Sequence, residues 1–368
     1  MTPAPTLLDT LVIGAGQAGL ATGYWLARSG LSFRVLEAGA APQGSWPAYY
    51  ASLTLFTPAR HSALPGLPFP GEPDRAPTRD GMAAYLRAYA RGHALPVETG
   101  ADVTRVTPRP DELGRGQPGG FEVTARDGRT WAARTVVVAT GTFRTPVTPD
   151  FPGQAGTAVE IRHAATYRHP EPFAGQRVVV VGAGNSAVQI AADLARVADV
   201  TLAARRVPHL IPQRPLGHDL TDWLAWSGVE RLPLGALGRV PDAQPVIAVP
   251  GLRAALRAVP VRQVFTAFTP RGVRWPGGQE EQVDTVILAT GYRFGAPFLP
   301  DAALDRAGEP RQRLGVSLGV PGLYFVGLPG ARTIASGTVR AAGPDARAVT
   351  VALRRFLRRD PTDLPAGR

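Results

Sequence analysis

The stretch Thr10-Leu-Val-Ile-Gly-Ala-Gly-Gln-Ala-Gly-Leu20 decides the fold of the first part of this 368-residue chain. The run Leu7 to Ile13 is short, apolar and β-branched enough to predict a buried parallel strand. Gln17 to Ser29 has apolar side chains at helical spacing and predicts a helix. A glycine-rich turn therefore joins a buried strand to the N-terminus of a helix, which is the arrangement that holds a dinucleotide pyrophosphate.

Each glycine of this turn has a distinct expected role. Gly14 permits the tight turn, Gly16 lets the backbone approach a pyrophosphate, and Gly19 lets the helix pack on the strand. The free N–H groups and positive dipole of the helix N-terminus favour the phosphates. The predicted contact residues of this loop are Gly14, Gly16, Gln17, Ala18 and Gly19.

A second strand, Phe33-Arg-Val-Leu-Glu37, ends in a carboxylate about 20 residues beyond the loop, where such folds bind a ribose 2'-hydroxyl. The same carboxylate would repel a 2'-phosphate. Glycine-rich turns are common, so the glycines alone would also fit an ordinary turn. The strand, helix, second strand and Glu37 together favour a nucleotide site.

The loop that follows Glu37 contains Gly44, Ser45 and Trp46, which we expect to run over the bound nucleotide; an ordinary turn with a packed tryptophan is the alternative. Ser52 to Pro58 alternates apolar and polar residues and predicts a short strand at the border of a pocket, with Phe56 in it.

The chain then predicts an antiparallel unit that leads back to the buried sheet. Ala101 to Val106 is predicted as a strand in which Val103 contacts the first nucleotide, and Asp127-Gly128 predicts a hairpin between Phe121–Arg126 and Thr130–Thr140. The last strand ends in Ala139, Thr140 and Gly141, small residues that allow a backbone to approach a ligand.

The strand–glycine–helix pattern recurs 168 positions after Gly14, in Arg177-Val-Val-Val-Val-Gly182-Ala-Gly-Asn-Ser-Ala187. Val283 to Gly291 repeats the strand that ends in Ala-Thr-Gly. Two such units predict two nucleotide sites, because ordinary turns would not repeat both features in order. The predicted contacts of the second unit are Gly182, Gly184, Asn185, Ser186, Ala187, Ala289, Thr290 and Gly291.

The second unit ends on Arg205 and Arg206 instead of a carboxylate. Arginine can bind a 2'-phosphate in a bidentate manner, so the first site suits FAD and the second NADPH, with NADH left open. Two solvated arginines on a loop are the alternative.

The end of the chain predicts a strand, Gly322 to Gly327, and a long helix, Ser336 to Phe356, that return to the first nucleotide-binding unit. Gly327 is expected to contact the first nucleotide. The fold class is therefore α/β, with two Rossmann-like dinucleotide-binding domains. The predicted boundaries are 1–158 and 293–368 for the FAD-binding domain and 159–292 for the inserted NAD(P)H-binding domain. The sequence of residues 208–260 predicts an irregular segment that covers the second domain.

Composition excludes several functions. The net charge of +11 comes from 40 Lys+Arg against 29 Asp+Glu, but the arginines are dispersed and no aromatic-basic motif predicts nucleic-acid binding. The chain has no cysteine, which excludes disulfides, thiolate metal sites and electron transfer through its own dithiol. No apolar run approaches the ~18 residues of a membrane span. The predicted location is the cytoplasm.

These features resemble the bacterial flavin-containing monooxygenases and the related Baeyer-Villiger monooxygenases over nearly the full length. The resemblance rests on both glycine motifs, Gly44-Ser45-Trp46, the Phe-Pro-Gly segment near Pro70, and both Ala-Thr-Gly strands. A linker fingerprint survives only as His163 and Tyr167, because Thr157 and Val159 stand where the family has Phe and Gly.

The resemblance implies FAD, NADPH, O2 and a small-molecule substrate, in a monomer or homodimer. It implies hydride transfer from NADPH to FAD and oxygen activation at the flavin C4a, with no protein general base or metal. Phe56 aligns with an asparagine that family members place beside the flavin, so it is the candidate residue at the reacting centre. His61 and His163 are better explained as structural hydrogen-bonding residues.

Three functions stay open on the sequence. The first is an NADPH-dependent monooxygenase acting on a sulfide, an amine or a ketone. The second, favoured by Phe56, is a flavin reductase that passes electrons to a small redox protein or a quinone. The third is a nucleotide-sensing regulatory protein.

Overall fold

The computed structural model describes residues 7–109, 119–233, 246–249 and 251–358. The helices are α1 (Gln17–Ala27), α2 (Arg79–Gly92), α3 (Asn185–Leu194), α4 (Leu220–Ser227), α5 (Leu252–Ala255) and α6 (Val339–Arg358). The strands are β1 (Leu8–Ile13), β2 (Phe33–Leu36), β3 (Val97–Glu98), β4 (Val103–Pro108), β5 (Phe121–Ala125), β6 (Thr130–Val138), β7 (Thr145–Pro146), β8 (Glu160–His163), β9 (Arg177–Val181), β10 (Asp199–Ala203), β11 (Leu210–Pro212), β12 (Val246–Ala248), β13 (Val261–Arg262), β14 (Ala267–Thr269), β15 (Gly272–Arg274), β16 (Glu280–Gln282), β17 (Thr285–Leu288), β18 (Tyr292–Arg293), β19 (Gln312–Arg313), β20 (Val316–Ser317) and β21 (Leu323–Phe325).

The larger sheet has the order β19-β20-β21-β6-β1-β2-β3, with β5 pairing β6 and β4. Strand β1 lies parallel between β2 and β6, and its residues Leu11 and Val12 are fully buried, as an apolar strand covered on both faces requires. The predicted hairpin forms, since β5 and β6 pair in antiparallel register.

The C-terminal strand and helix return to this larger sheet, as the sequence predicts. Strand β21 pairs parallel with β6, from Leu323 opposite Val136 to Phe325 opposite Val138. Helix α6 packs against α1, where Trp25 Nε1 donates a hydrogen bond of 3.0 Å to Gly343 O.

The second glycine motif belongs to a separate sheet with the order β13-β10-β9-β17-β8. Every pairing in it is parallel, and Val178 to Val181 of β9 are buried, which fits a β-branched strand inside an α/β layer. The two Rossmann-like units of the expected α/β fold are therefore confirmed. Strands β14, β15 and β16 form a small antiparallel sheet beside the second unit.

The prediction of a strand over Ser52 to Pro58 was wrong. Its only β-type pairing in the described residues is an isolated bridge between Thr54 and Thr78, and Leu55 N donates to Pro77 O at 2.8 Å. The segment is a coil held by the residues before α2. The cap of α2 is as predicted, because Thr78 Oγ1 accepts from Gly81 N at 3.1 Å.

Residues 208–260 are only partly described, and the helical fragment that the sequence predicts over Asp219 to Trp226 is present as α4. Helix α4 begins after Asp219, whose carboxylate caps it by accepting from Thr221 N at 2.9 Å. Within the described ranges, no helix has the length and apolar character needed to cross a membrane.

Candidate active site

One cavity of about 710 Å³ lies where the carboxyl ends of the parallel strands of the two sheets meet. Ligands of open α/β sheets bind at this edge because the loops and helix N-termini converge there. Most residues predicted to contact a nucleotide line the cavity: Gly14, Gly16, Gln17, Ala18, Glu37, Gly44, Ser45, Trp46, Phe56, Val103, Ala139, Thr140, Gly141, Gly184, Asn185, Ser186, Ala289, Gly291 and Gly327.

The first glycine loop leaves room at the start of α1. Gly16 is the N-cap, and no side chain of the described residues caps the helix. A Cβ on Gly16 would meet only Gly44 Cα, at 3.7 Å, whereas a Cβ on Gly44 would lie 2.8 Å from Gly16 Cα. Gly44 has φ +56°, a left-handed conformation that favours glycine. The backbones at Gly16 and Gly44 are therefore in contact beside the uncapped N-terminus of α1. The free N–H groups of a helix N-terminus can bind a phosphate group.

Glu37 closes the same loop from the end of β2. Its Oε2 accepts from Ala15 N at 2.8 Å and its Oε1 from Gly39 N at 2.9 Å, and the residue is 8% exposed. A carboxylate has about four acceptor positions, so these two bonds leave acceptors for ribose hydroxyls. The carboxylate fixes the loop and still faces the cavity.

The second glycine loop is built in the same way. Gly184 is the N-cap of α3, again with no capping side chain in the described part of the chain. Two buried cavity atoms, Asn185 Oδ1 and Thr140 Oγ1, lack a hydrogen-bond partner among the described residues. Buried polar groups are normally paired, so partners supplied by bound nucleotides fit both atoms. The donor set therefore fits two dinucleotide cofactors.

Six predicted contact residues do not line the cavity. These are Gly19, Gly182, Ala187, Thr290, Arg205 and Arg206. Gly19 serves packing, since a Cβ there would lie 1.8 Å from Gly14 O. Gly182 has φ +147°, and a Cβ added to it would lie 2.5 Å from Ala289 O, so it also serves packing. Ala187 is fully buried, and Thr290 Oγ1 donates to Val147 O at 2.5 Å.

Arg205 and Arg206 lie on the surface just beyond β10. Among the described residues, neither guanidinium forms a hydrogen bond or an ion pair. They stand near the second glycine unit without reaching into the cavity.

Phe56 forms part of the cavity wall and is half-buried. Its carbonyl accepts a 3.0 Å hydrogen bond from Gln213 Nε2, and Gln213 Nε2 also lies 3.2 Å from Asp219 Oδ2. The backbone of the coil around Phe56 is therefore held by the segment that precedes α4. The sequence contained no local signal for this contact.

Aromatic rings that the sequence analysis largely missed continue the wall. Trp46 and Tyr49 have centroids 5.8 Å apart, Tyr49 and Phe143 6.3 Å, Phe143 and Tyr292 5.4 Å, and Tyr292 and His163 5.0 Å, all edge to face. All five side chains line the cavity. Burial raises the pKa of Tyr49, and the hydrogen bond with Ser45 opposes that rise. The wall is therefore uncharged and apolar at neutral pH.

His163 braces the linker before the second unit, as the sequence suggested. Its Nδ1 accepts from Ala165 N at 3.0 Å, so Nε2 is the donor toward Gly291 O at 3.2 Å. Burial lowers the pKa of His163, against the opposing effect of the Gly291 carbonyl. A neutral, doubly hydrogen-bonded ring holds the chain in place.

Arg340, near the start of α6, is a cavity residue that the sequence analysis missed. It pairs with Glu230 of the segment after α4, and the two side chains are only 15% and 12% exposed. Burial lowers the pKa of Arg340, while the charge of Glu230 opposes the shift. The pair ties α6 to the segment that follows α4.

The fold and this cavity define a class: an oxidoreductase that brings two dinucleotides together at the edges of two parallel sheets. The similarity of this chain to known proteins supports the same class. The model of the family described as pyridine nucleotide-disulphide oxidoreductase matches residues 11–217. An uncharacterized CzcO-like oxidoreductase of Geobacillus kaustophilus is 32% identical, over 92% of this chain and 96% of that protein.

Two relatives carry a named activity. The indole-3-pyruvate monooxygenase YUCCA1 of Oryza sativa subsp. japonica is 33% identical, over 86% of each chain. The structure of a flavin-containing monooxygenase from Stenotrophomonas maltophilia superposes with a TM-score of 0.82 at 33% identity, covering 95% of this chain and 99% of that one. This chain therefore belongs to the pyridine nucleotide-disulphide oxidoreductase family and, within it, to the flavin monooxygenases.

Proposed function

We propose that the chain binds FAD at the Gly14 loop and NADPH at the Gly184 loop and oxygenates a small sulfide, amine or ketone inside the shared cavity. The observation that carries this proposal is the single cavity lined by both uncapped helix N-termini. FAD would supply hydride acceptance and oxygen activation. The protein's part is to bind, orient and keep water out.

The residues divide this work. The loop at Gly14 and Gly16 would hold the pyrophosphate of FAD and Glu37 its adenosine ribose, and the backbone N–H groups at the α3 N-terminus, from Asn185 on, would donate to the pyrophosphate of NADPH. Surface guanidiniums that have no partner among the described residues support Arg205 and Arg206 as receptors for the 2'-phosphate. Phe56 and the aromatic wall would exclude water from the reacting faces.

The domain boundaries also stay a proposal: 1–158 and 293–368 for the FAD-binding domain, and 159–292 for the NADPH-binding domain. The sheet pairings support them, because β1 to β6 and β19 to β21 share one sheet while β8 to β10, β13 and β17 share the other. Residues 1–6, 110–118, 234–245, 250 and 359–368 lie outside the described residues. A cytoplasmic monomer or homodimer remains the accompanying expectation.

A second candidate is a reductase that hands electrons to a small redox protein or a quinone without oxygenation. The phenyl ring of Phe56 on the cavity wall favours it, because a ring offers no donor to an oxygen adduct.

Stopped-flow absorbance of the NADPH-reduced protein mixed with O2 separates the two functions. A transient absorbing species before reoxidation, followed by an oxygenated product, is expected for the monooxygenase. Direct reoxidation that releases one hydrogen peroxide per NADPH, with fast turnover of a quinone, would contradict monooxygenation and support the reductase.

A further inference from the structure

A buried carboxylate joins three separate segments at the junction of the two nucleotide-binding units. Asp193, on α3, is 6% exposed. Its Oδ2 accepts from Ser52 Oγ at 2.8 Å and from Tyr167 Oη at 2.9 Å. Arg196 Nη1 lies 3.7 Å from Oδ1 but is 73% exposed, so it contributes little. The two hydroxyls are the significant partners of this charge.

A second contact lies one turn earlier on the same helix. Gln189 Oε1 accepts from Tyr50 Oη at 2.5 Å. Asn185, Gln189 and Asp193 are spaced four residues apart and therefore share one face of α3. Asn185 and Gln189 line the cavity at the N-terminal end of that face.

The segment held by these contacts is the wall of the cavity on the side of the first glycine loop. Tyr50, Leu53 and Phe56 all line the cavity. Ala51 N donates to Arg168 O at 2.7 Å, which ties the same segment to the linker. A displacement of α3 would thus move the start of the coil that carries Phe56.

The bonds that Ser52 and Tyr167 donate to the Asp193 carboxylate are strong for their type, whereas Tyr50 donates to the neutral amide of Gln189. Burial, followed by the charge of Asp193, raises the pKa of Tyr50, and burial, followed by the hydrogen bond to Asp193, raises the pKa of Tyr167. Both phenols stay protonated and remain donors. Hydrogen bonds to a charged acceptor are roughly twice as strong as neutral ones.

We propose that Asp193 is a positioning residue that transmits the position of the α3 helix to the wall segment Tyr50–Phe56 through Ser52. On the cofactor assignment proposed above, on which this inference rests, the contact sets the approach of the nicotinamide to the flavin. Hydride transfer requires reacting atoms about 3–3.5 Å apart, and a displacement of about 1 Å can slow a reaction by about 100-fold. Asp193 itself does not line the cavity.

The chain offers a matched pair of variants. Ser52→Ala removes the bond from Asp193 to the wall segment, and Tyr167→Phe removes the bond from the same oxygen to the linker. We expect both to keep FAD and to bind NADP+ with a Kd within about twofold of wild type. Ser52→Ala is expected to lower the limiting anaerobic rate of flavin reduction at saturating NADPH by about fivefold or more, whereas Tyr167→Phe changes it by less than about twofold.

Hydrogen–deuterium exchange gives a readout independent of turnover. NADP+ is expected to increase the protection of residues 50–57 in wild type and in Tyr167→Phe, but not in Ser52→Ala. Equal reduction rates in Ser52→Ala and wild type, or an unchanged NADP+ response of residues 50–57 in Ser52→Ala, would overturn the coupling.

The proposed cofactor assignment can be contradicted independently of the coupling between α3 and the wall segment. A wild-type protein that binds FAD elsewhere or is not reduced by NADPH contradicts the cofactor assignment. Exchange measured without nucleotide would still decide whether Ser52 couples α3 to the wall segment: faster exchange of residues 50–57 in Ser52→Ala than in Tyr167→Phe supports the coupling, and equal exchange overturns it.

Discussion

His61 Nε2 lies 2.7 Å from Oδ1 of Asp222, and Arg60 Nη2 lies 2.7 Å from Oδ2 of the same carboxylate. The contact joins the turn after Phe56 to helix α4, 161 residues along the chain from His61. Burial alone would raise the pKa of Asp222, but the hydrogen bonds from Arg60 and His61 outweigh it and lower the pKa to about 2. The ionised carboxylate is therefore a stabilising contact across the cavity's outer wall.

Asp222→Asn should lower the free energy of unfolding by on the order of 2 kcal/mol at neutral pH. The folded pKa lies below the ordinary value of 3.8, so this stability is present above about pH 4 to 5 and is lost as the pH falls toward 2. Denaturant titrations of wild type and Asp222→Asn between pH 7 and 2.5 should give free energies of unfolding that converge as the pH falls.

Asp74→Asn is the control, because Asp74 pairs with the same Arg60 but is 69% exposed. This substitution should lower the free energy of unfolding by less than about 1 kcal/mol. Equal losses for both variants would show that burial of Asp222 is unimportant.

Gly16→Ala and Gly19→Ala should have different effects, although the glycines belong to one motif. A Cβ on Gly19 would lie 1.8 Å from Gly14 O, so Gly19→Ala should destabilise the FAD-free protein by about 1–3 kcal/mol or more. A Cβ on Gly16 meets the protein only at 3.7 Å, so Gly16→Ala should leave that stability nearly unchanged and weaken FAD binding. Thermal unfolding of the FAD-free proteins and flavin titration measure the two effects. Full FAD affinity in a stable Gly16→Ala protein would remove the Gly14 loop as the FAD site.

Replacing Arg205 and Arg206 together by glutamine should raise the apparent KM for NADPH by about ten-fold to a hundred-fold and leave that for NADH nearly unchanged. The reason is the loss of the charge-assisted bonds to the 2'-phosphate. Glutamine at Arg214 and Arg231, both exposed, removes the same charge elsewhere and serves as the control. If the wild-type protein oxidises NADPH and NADH equally well, Arg205 and Arg206 are solvated surface residues and do not bind the 2'-phosphate.

Phe56→Asn should reduce the hydrogen peroxide released per NADPH oxidised by about twofold or more. An amide can donate a hydrogen bond where the ring cannot, and a bond of ~1 kcal/mol changes a rate ratio by about fivefold. Phe56→Leu keeps the wall apolar without a donor and should not improve coupling. A peroxide yield that is the same in both variants, with FAD retained, would assign Phe56 to packing alone.

The sequence by itself determined the two nucleotide-binding units. Their signals are local: glycines at fixed spacing, a β-branched strand before them and a helix after them, with Glu37 closing the first unit. The strand before Gly141 and its repeat before Gly291 could also be predicted from the sequence, because buried parallel strands are continuous apolar runs. Such patterns survive in any surroundings, since backbone conformation and hydrophobic periodicity are set within a few residues.

The tertiary structure decided which of these residues face the cavity and what holds its wall. Ser52 to Pro58 alternates like a strand, yet it forms a coil because its backbone partners are Pro77, Arg79 and the Gln213 side chain, not a neighbouring strand. The contacts of Asp193 with Ser52 and of Asp222 with His61 span 141 and 161 residues. No local pattern encodes them, because a hydrogen bond between distant segments depends on where two folded units place their side chains, and that is fixed only when both sheets have packed.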